Sequence, residues 1–540
     1  MSSSLSASTS ASSAGPSTLH SHQPLLQPGR TAIMKQAGDD NVESVPEMDP
    51  EQRARIEKGL KRKLDARCAI FVLIYIMNYL DRQTISAARL KGLQDDLRLD
   101  NTQYATCLSI LYAGYILMQV PSNMVINRIQ RPSLYISAAM VLWGLVSTLS
   151  GVAHDFVSML CTRFFLGFVE AAFLPGALLL LSKLYTRREL TTRNAILYCG
   201  NLISNAFSAL VGAAVLSNMQ GVLGHAAWRW LFFIEGGTTM VIAIAAAFIL
   251  PDLPHNTRGF TAEEKIVAQL RMTEDVGEAD ADSEGQGVFD GLILALTDVK
   301  VYVVMFTVTA YVLGLSFNAF FPTLTGTLGF DYVPTLLMSA PPWLFSCIIS
   351  VLVSLHSDAT QEKVSFKSPV VPRTLPYLST LTRRFKFWHI VGPLILGIVG
   401  FAISMSTLNI AARYVALFLQ AGSYAGYIVF TSWISSSFPR PPAKRAVAIA
   451  LINAFSQVGN IAGSYVWDLK EDGYRKSYGI VLAMFCLSIG GSYVFRGMLS
   501  RLNTKLEAHE RRPPGELAPA AGDSRADDTL RMKKGFRYLL

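Results

Sequence analysis

Two pairs of charged residues interrupt long apolar segments of this sequence. Asp81 and Arg82 directly follow the apolar run 68–80, and Arg163 and Glu170 stand inside a later apolar segment. A helix needs about 20 residues to cross a bilayer, so the run 68–80 is too short and its span must extend through Asp81 and Arg82. Ionisable groups inside a membrane are costly and are functional candidates for that reason.

The helical rise predicts that these charges lie at related depths. If their helices run in opposite directions, Asp81 and Arg163 both lie roughly 20 Å from the cytoplasmic edge. Glu170 follows Arg163 by about two turns, so it lies on the same helix face and about 10 Å deeper. The charges of the four groups sum to zero, as a low-dielectric cavity requires when no ligand is bound.

This combination of residue types predicts proton-linked binding of an anion. A buried carboxyl group beside an arginine can exchange protons near physiological pH, because burial disfavours its charged form and the cation favours it. Protonation of Asp81 and Glu170 would leave Arg82 and Arg163 uncompensated, and the guanidinium fork can hold a carboxylate through two hydrogen bonds. The alternative is that these residues are ion pairs that only lock helices together.

Other polar residues within the apolar segments are further candidates. Five of them could line a cavity and bind substrate, although each fits a hydrogen bond between helices equally well: Asn78, Tyr198, Asn318, Tyr424 and Asn453. Glu235 follows the aromatic segment 228–230 near a predicted outer membrane face. We interpret that cluster as an interfacial anchor with a structural ion pair.

The elements that must position these residues are membrane-spanning helices. The chain has 540 residues, of which 51% are hydrophobic and 16% charged, and its mean hydropathy is +0.33. Apolar blocks of about 20 residues must be helical, because lipid offers no partner for backbone polar groups. Twelve spans are predicted: 68–88, 104–126, 133–153, 155–181, 192–217, 228–250, 299–321, 333–356, 389–408, 412–436, 444–467 and 477–497.

The charge distribution predicts the orientation and the domain organisation. Lys and Arg concentrate in alternate loops, which places both termini in the cytoplasm. No signal peptide is expected to be cleaved. The predicted order is a disordered tail (1–50), a cytoplasmic juxtamembrane helix (51–67), a six-helix bundle (68–250), a cytoplasmic central loop (251–298), a second six-helix bundle (299–497) and a cytoplasmic tail (498–540).

Two loop segments have further features. Thr261 and Glu264 form a capping-box pattern ahead of an amphipathic stretch, which predicts a short surface helix in the central loop. The basic, proline-containing segment 362–388 separates the eighth and ninth spans. It is either a cytoplasmic insertion or a wrongly translated segment.

Several classes of protein are excluded. The net charge of +9 arises from loop residues, and no nucleic-acid-binding motif accompanies them. The six cysteines have no spacing typical of a metal site or a disulfide framework. There is no paired histidine cluster, nucleophile elbow or phosphate-binding loop, so we expect neither an enzyme nor an ATP-driven pump. No metal or other cofactor is expected, and the expected state is a monomer in the lipid bilayer.

The order of short motifs resembles the major facilitator superfamily and, within it, the fungal allantoate permease branch of the anion:cation symporters. The resemblance extends over about 60–497 and into the tail. It rests on Asn78-Tyr-Leu-Asp81-Arg82, Gly92-Leu93, Asp96-Leu97, Gly114-Tyr115, Pro121-Ser122-Asn123, Arg163-Phe-Phe-Leu-Gly167, Glu170, Pro175-Gly176, the run from Trp228 to Gly236, Leu250-Pro251-Asp252, Phe321-Pro322, Lys444-Arg445-Ala446 and Phe536-Arg537-Tyr538.

The resemblance implies an all-α, twelve-helix fold whose two six-helix halves rock about a central site. It implies that Asp81 and Glu170 couple to protons and that Arg82 and Arg163 bind an anion. Substrates in this family are small organic anions and vitamins, including nicotinate, pantothenate and allantoate. The segment 335–342 and the surroundings of Lys444 are most similar to nicotinate permeases, and the implied location is the plasma membrane.

The sequence departs from the family pattern after Asp81-Arg82. The family usually has Ser-Asn and then Asn-Ala where this chain has Gln83-Thr84 and Ala87-Ala88, so substrate identity does not transfer directly. Besides a proton-coupled importer of a carboxylate, two alternatives stay open. One is an exporter or exchanger that uses the same groups, and the other is a nutrient sensor that no longer transports.

Overall fold

The structure is a computed structural model that describes residues 49–126, 129–276, 288–365, 385–438, 442–469, 471–510 and 538. These residues form helices and connecting turns, with no strand among them. The predicted tail 1–50 lies outside the described residues except for its last two positions. Most of the predicted insertion 362–388 and of the C-terminal tail 498–540 also lies outside them.

Eighteen α-helices are present in the described residues. In chain order, α1 to α18 are Pro50–Arg89, Leu93–Asp96, Asn101–Ile126, Pro132–Ser150, Phe156–Glu170, Phe173–Leu184, Arg187–Asn218, Ala227–Ile249, Ala262–Val276, Val288–Leu296, Val299–Leu315, Phe321–Gly326, Tyr332–Ser365, Phe385–Ser406, Ile410–Gly422, Tyr424–Ser437, Pro442–Val466 and Arg475–Glu510. Short 3₁₀ turns are Val222–Gly224, Ser316–Phe320 and Glu471–Tyr474.

Eleven helical segments of the described residues are long and apolar enough to cross a membrane. The helix α1 is not among them, because Asp81 and Arg82 lower the hydropathy of its apolar part. Together with α1 the segments number twelve, in agreement with the sequence prediction. The predicted juxtamembrane helix 51–67 and the predicted first span form one continuous helix in the structure.

Three of the spanning segments consist of two consecutive helices. One of them, Phe156–Leu184, contains α5 and α6, which are separated at Ala171 and Ala172. Glu170 is the last residue of α5. A functional candidate therefore stands directly beside a break in the helix.

Glycines set the distance between α3 and α5. A Cβ atom added to Gly167 would collide with the backbone carbonyl of Leu111, and one added to Gly114 would collide with the carbonyl of Phe164. Small residues permit this close backbone approach in membrane proteins. The position of Arg163 and Glu170 on α5 therefore depends on Gly167.

We expect Gly167→Val to lower the stability of the folded protein by about 1–3 kcal/mol, the usual cost of overpacking. The added side chain meets backbone on α3, which cannot move aside as a flexible side chain would. Thermal unfolding in detergent measures the change. Gly237→Val is the matched control on α8, because nothing lies within 4 Å of a Cβ atom at Gly237; equal stability of the two variants would contradict the expectation.

The two halves of the chain meet at the end of the bundle that is distant from the central loop. The Thr102 hydroxyl donates to Asp468 Oδ2 at 2.8 Å, and the hydroxyl oxygens of Thr106 and Tyr465 lie 3.2 Å apart. The Lys91 ammonium lies 4.0 Å from the ring centroid of Tyr332. In the predicted topology this is the outer end.

The central-loop helix α9 is attached to the other end of the first half. Its predicted capping box is confirmed: the Thr261 backbone N–H donates to Glu264 Oε2 at 2.9 Å, and the Glu264 N–H donates to Thr261 Oγ1 at 3.2 Å. Arg271 of α9 forms an ion pair with Glu189 of α7, and Lys61 of α1 pairs with the same carboxylate at 2.7 Å. Glu189 thus joins three helices.

We expect Glu189→Gln to loosen α9. Burial would raise the pKa of Glu189, but hydrogen bonds and charges from Lys61 and Arg271 outweigh it and hold the pKa below its ordinary value of 4.5. A lowered carboxyl pKa means that the stabilisation is present above pH 4.5 and is lost as the pH falls through the lowered value.

Amide hydrogen exchange of α9 at neutral pH measures this effect. Exchange should accelerate in Glu189→Gln and should become less sensitive to acid than in the unchanged protein. Glu263→Gln, at an exposed position of α9, is the control and should exchange normally. Unchanged amide exchange in Glu189→Gln would show that the ion pairs of Glu189 do not hold α9 in place.

The ends of the described segments carry two further contacts. Nδ1 of His356 lies 2.7 Å from Nε2 of His389, so α13 and α14 approach each other on either side of the undescribed part of the predicted insertion. The Asn503 side chain of α18 bonds both backbone groups of Tyr538, donating at 2.9 Å and accepting at 2.8 Å. Both residues belong to the predicted C-terminal tail 498–540. The Lys300 ammonium of α11 lies 5.3 Å from the ring centroid of Tyr538, so this part of the tail packs against the second half.

Candidate functional site

An ion pair joins α1 to the end of α5. Arg82 Nε lies 2.5 Å from Glu170 Oε2, and the two side chains are 11% and 0% exposed. The other oxygen, Oε1 of Glu170, is buried without a hydrogen-bond partner in the described part of the chain. The pair brings together two of the predicted residues, and one of its acceptor positions stays unsatisfied.

Tyrosine rings surround the guanidinium group of Arg82. The Arg82 Cζ atom lies 5.1 Å from the ring centroid of Tyr79 and 4.9 Å from that of Tyr115. A cation over an aromatic face is attracted to the ring quadrupole, more strongly where water is excluded. The rings therefore hold Arg82 in position without neutralising its charge.

Arg163 contacts the backbone of α1. Its Nη2 donates to the carbonyl oxygen of Arg82 at 2.9 Å and its Nη1 to that of Asp81 at 3.4 Å. These contacts place Arg163 and Asp81 at the same depth, as the sequence predicted. Arg163 is 1% exposed and its Nε atom has no partner within the described residues, so its charge is not neutralised by an ion pair there.

Asp81 does not face either arginine side chain. Its Oδ1 accepts from the Ser147 hydroxyl at 2.7 Å and its Oδ2 from the Thr239 hydroxyl at 2.9 Å. Asp81 is completely buried. The carboxyl group therefore lies between α1, α4 and α8, on a different side of α1 from the Arg82–Glu170 pair.

The prediction for Glu235 is wrong. Glu235 is 3% exposed and contacts the Thr84 hydroxyl of α1, so it is not an interfacial anchor. The nearby Arg229 donates to the carbonyl of Gly151 at 2.8 Å and forms no ion pair with Glu235. Glu235 stands in the third turn of α8, where the helix has already entered the packed interior.

Glu235 also changes the charge count of the interior. The sequence predicted two carboxyl groups and two guanidinium groups, which sum to zero. The structure adds a third carboxyl group, so the fully ionised set has a charge of −1, from +2 and −3. At least one proton is therefore needed for neutrality.

The five predicted polar ligands lie in different environments. Asn78 is 2% exposed and its Nδ2 has no partner in the described residues, while the ring of Tyr198 packs edge-on against Tyr75. The Tyr424 hydroxyl donates to the carbonyl of Leu315 at 3.2 Å. Asn453 is half-buried on α17.

Three tyrosine pairs stand at helical spacing, and the sequence pattern had indicated only one of their six members, Tyr424, as a candidate. They stand in the spans of α1, α3 and α16, and face the interior: Tyr75 and Tyr79, Tyr112 and Tyr115, Tyr424 and Tyr427. Tyr427 of the second half lies close enough to Tyr79 and Tyr115 of the first half to interact with them electrostatically. The recurrence of tyrosines three or four residues apart was the signal that could have identified them.

A narrow cleft between the two halves contains one of the predicted ligands. Asn318 lines it from the second half together with Trp343, and Gln83, Ala87 and Ser208 line it from the first half. Gln83 and Ala87 are two of the positions at which the sequence departs from the family pattern. These two departures therefore lie where the halves face each other, whereas Thr84 faces α8 of the first half.

The chain belongs to the major facilitator superfamily. The family model named Major Facilitator Superfamily matches residues 71–464, which include the whole charged site. Among solved structures, a bacterial homolog of the human lysosomal transporter Spinster, in an inward-facing and unoccupied conformation, is similar to the chain with a TM-score of 0.60 and 15% identity. The alignment covers 80% of this chain and 97% of that one. The fold is thus the twelve-helix fold that the sequence predicted.

Curated relatives are named as transporters. The MFS-type transporter cnsO of Penicillium expansum is 32% identical over 74% of this chain and 75% of its own length. A putative tartrate transporter of Agrobacterium vitis is 27% identical over 76% of this chain and 84% of its own length. These relatives support a multi-pass membrane transporter and are consistent with a chain that is not an enzyme.

Proposed function

We propose that this transporter is a proton-coupled importer of a small organic anion. The observation that carries the proposal is the Arg82–Glu170 pair, in which a buried carboxylate occupies the guanidinium group that a substrate carboxylate would need. Protonation of Glu170 removes its charge and frees Arg82. An anion can then bind to Arg82 in place of Glu170. Protonation of Glu170 and binding of the anion are therefore linked.

This linkage between proton and anion binding determines how anion uptake depends on pH. A protonated Glu170 is favoured in acid, so an acidic outer side loads the transporter with both proton and anion. In the predicted topology the halves then rock and open the site to the cytoplasm, as in other secondary transporters. Loss of the proton there restores the Arg82–Glu170 pair, and the pair displaces the anion.

The tyrosines support a planar carboxylate such as nicotinate. Tyr79 and Tyr115 flank Arg82, and aromatic side chains favour offset or edge-on contacts with a flat ring. A carboxylate bound to Arg82 would place its ring among them, with Tyr424, Tyr427 and Asn318 approaching from the second half. The tartrate named for a relative is also an organic anion.

Other assignments share the same site and belong to the proposal as alternatives. The anion can be pantothenate, allantoate or another carboxylate, because the departures at Gln83 and Ala87 lie at the cleft between the halves. An exporter or exchanger would use the same carboxyl groups, and a sensor would bind without transport. The proposed location is the plasma membrane, with both termini in the cytoplasm and a monomer as the working unit.

Uptake of labelled nicotinate tests the proposal. The chain is expressed in cells that lack their own nicotinate uptake, and entry is measured in mildly acidic and mildly alkaline medium, with and without a protonophore. We expect uptake to rise in acid and to collapse with the protonophore. A panel with tartrate, pantothenate and allantoate tests the other anions under the same conditions.

Each outcome separates one alternative from the others. Entry of another anion but not of nicotinate would keep the mechanism and change the substrate. Uptake that ignores both pH and protonophore would overturn proton coupling. If no anion enters although the protein reaches the surface, efflux from preloaded vesicles of known orientation distinguishes an exporter from a sensor.

A further inference from the structure

The helices α1 and α8 each contribute one carboxyl group and one hydroxyl group to two contacts between them. Asp81 of α1 accepts a hydrogen bond from Thr239 of α8 at 2.9 Å, and Glu235 of α8 contacts Thr84 of α1. Asp81 and Thr84 are three residues apart, and Glu235 and Thr239 are four apart, so each set lies on one helix face. The four groups form two adjacent contacts between the same helices.

The two carboxyl groups differ in the number of hydroxyl hydrogen atoms that are available to them. Asp81 accepts from two hydroxyl groups, those of Ser147 and Thr239, which suits an ionised carboxylate. The Thr84 hydroxyl has one hydrogen and also lies 3.0 Å from the carbonyl oxygen of Leu80. A carbonyl can only accept, so when Thr84 donates to Leu80 the contact with Glu235 needs a proton on Glu235.

The cations on the neighbouring helices are already engaged. On α1, Arg82 pairs with Glu170, and Arg89 donates to Gln94 at 3.0 Å and stacks on Tyr104. From α5, Arg163 donates to backbone carbonyls of α1.

The other helices packed against α8 supply no cation within the membrane. The titratable groups there are Tyr135 on α4, and Tyr198 and Cys199 on α7; Arg229 on α8 itself donates to the Gly151 carbonyl. Within the described residues no cation is therefore paired with Asp81 or Glu235. Two ionised carboxylates so placed repel each other in a low-dielectric interior.

We propose that Asp81 and Glu235 hold one exchangeable proton between them, and that Glu235 is a proton-carrying residue of the transport cycle. This inference rests on the proposed function. The proton resides on Glu235 in the present arrangement and passes to Asp81 when the contacts of Thr84 and Thr239 rearrange. The transfer moves one proton from one carboxyl group to the other, and no further reactant is required.

The position of Glu235 gives it a specific part in the cycle. Its partner Thr84 lies one helical turn beyond Asp81, toward the end of the bundle where the halves meet. In the predicted topology this is the outer side. A proton that enters from outside reaches Glu235 before Asp81, and it does so on a different side of α1 from the substrate-facing Arg82. Glu235 therefore supplies protons without competing with the anion.

Infrared difference spectroscopy of the purified protein tests the proposal without a substrate. A protonated carboxyl group in an apolar interior gives a separate C=O stretching band, and a pH titration follows its loss. We expect the unchanged protein to show a band that Glu235→Gln removes and that Asp81→Asn shifts in pH. A titrating band that stays the same in Glu235→Gln would overturn the assignment.

Transport measurements provide the second readout. In proteoliposomes, Glu235→Gln should keep exchange of internal for external nicotinate, because exchange needs no net proton movement. It should reduce proton-driven accumulation by about 10-fold or more, as expected when a group that performs the proton transfer is removed. Thr84→Val should shift the infrared titration in pH, and Thr84→Ser, which keeps the hydroxyl group, should not.

The outcomes separate this inference from the proposed function. If the unchanged protein accumulates nicotinate in a proton-dependent manner and Glu235→Gln does so equally well with the same pH profile, Glu235 is a permanently protonated structural residue and the inference fails. If the unchanged protein shows no proton-driven uptake of any anion in the panel, the proposed function fails, and the infrared titration still decides whether Glu235 exchanges a proton.

Discussion

Replacing Arg82 by alanine is expected to abolish anion uptake, with a loss of at least about 100-fold. The change removes the group that holds the anion and leaves Glu170 buried without its cation. Breaking a buried ion pair in this way costs about 3–5 kcal/mol, and each 1.4 kcal/mol corresponds to about a tenfold change in binding. Initial rates of labelled nicotinate uptake, normalised to the protein at the cell surface, measure the loss.

Two further variants identify the cause of that loss. Arg82→Lys keeps a positive charge but lacks the planar fork and the stacking surface between Tyr79 and Tyr115, so we expect it to stay strongly impaired. Lys183→Ala removes an exposed cation and should transport normally. Near-normal uptake by Arg82→Ala would show that the anion binds elsewhere, with Arg163 as the next candidate.

Replacing Glu170 by glutamine is expected to separate anion movement from proton movement. The amide resembles the protonated acid, so Arg82 stays available to the anion at every pH. Exchange of internal for external anion should therefore continue and lose its pH dependence. Accumulation against a gradient should fall by about 10-fold or more, because general acid–base groups typically contribute at least that factor.

The comparison of exchange and accumulation in the same vesicles is the decisive measurement. Glu263→Gln, which neutralises an exposed carboxylate of α9, is the control and should change neither rate. Accumulation in Glu170→Gln that still responds to an imposed pH gradient would remove Glu170 from the coupling step. If Glu170→Gln loses exchange as well as accumulation, the Arg82–Glu170 pair has a structural role instead.

The sequence alone was sufficient to predict the spanning helices and the depth of the principal charges. Both follow from local rules: apolar length determines a span, and the helical rise then converts residue number into depth. Arg163 contacts the backbone carbonyls of Asp81 and Arg82 because two helices of opposite direction bring those residues to one level. The same rules cannot tell which side of α1 a charge faces, so Asp81 was expected near the arginines and lies against Ser147 and Thr239 instead.

Glu235 shows where local rules fail. Its neighbours Trp228, Arg229 and Trp230 are residue types that favour a membrane interface, and the pattern suggested an exposed cluster. The contact with Thr84 depends on the packing of α8 against α1. The tyrosine pairs, in contrast, had a readable spacing, but only the packing of α1, α3 and α16 brings Tyr79, Tyr115 and Tyr427 near one another.

The excess of one carboxyl group over the two arginines also has an electrical consequence. With Glu235 protonated and Glu170 paired to Arg82, the empty site is neutral. A monovalent anion that enters with one proton on Glu170 leaves it neutral, so membrane voltage would not drive that cycle. A cycle that adds a proton on Asp81 moves one positive charge, for which a voltage of 100 mV supplies about 2.3 kcal/mol. Substrate-evoked current therefore distinguishes one proton per anion from two.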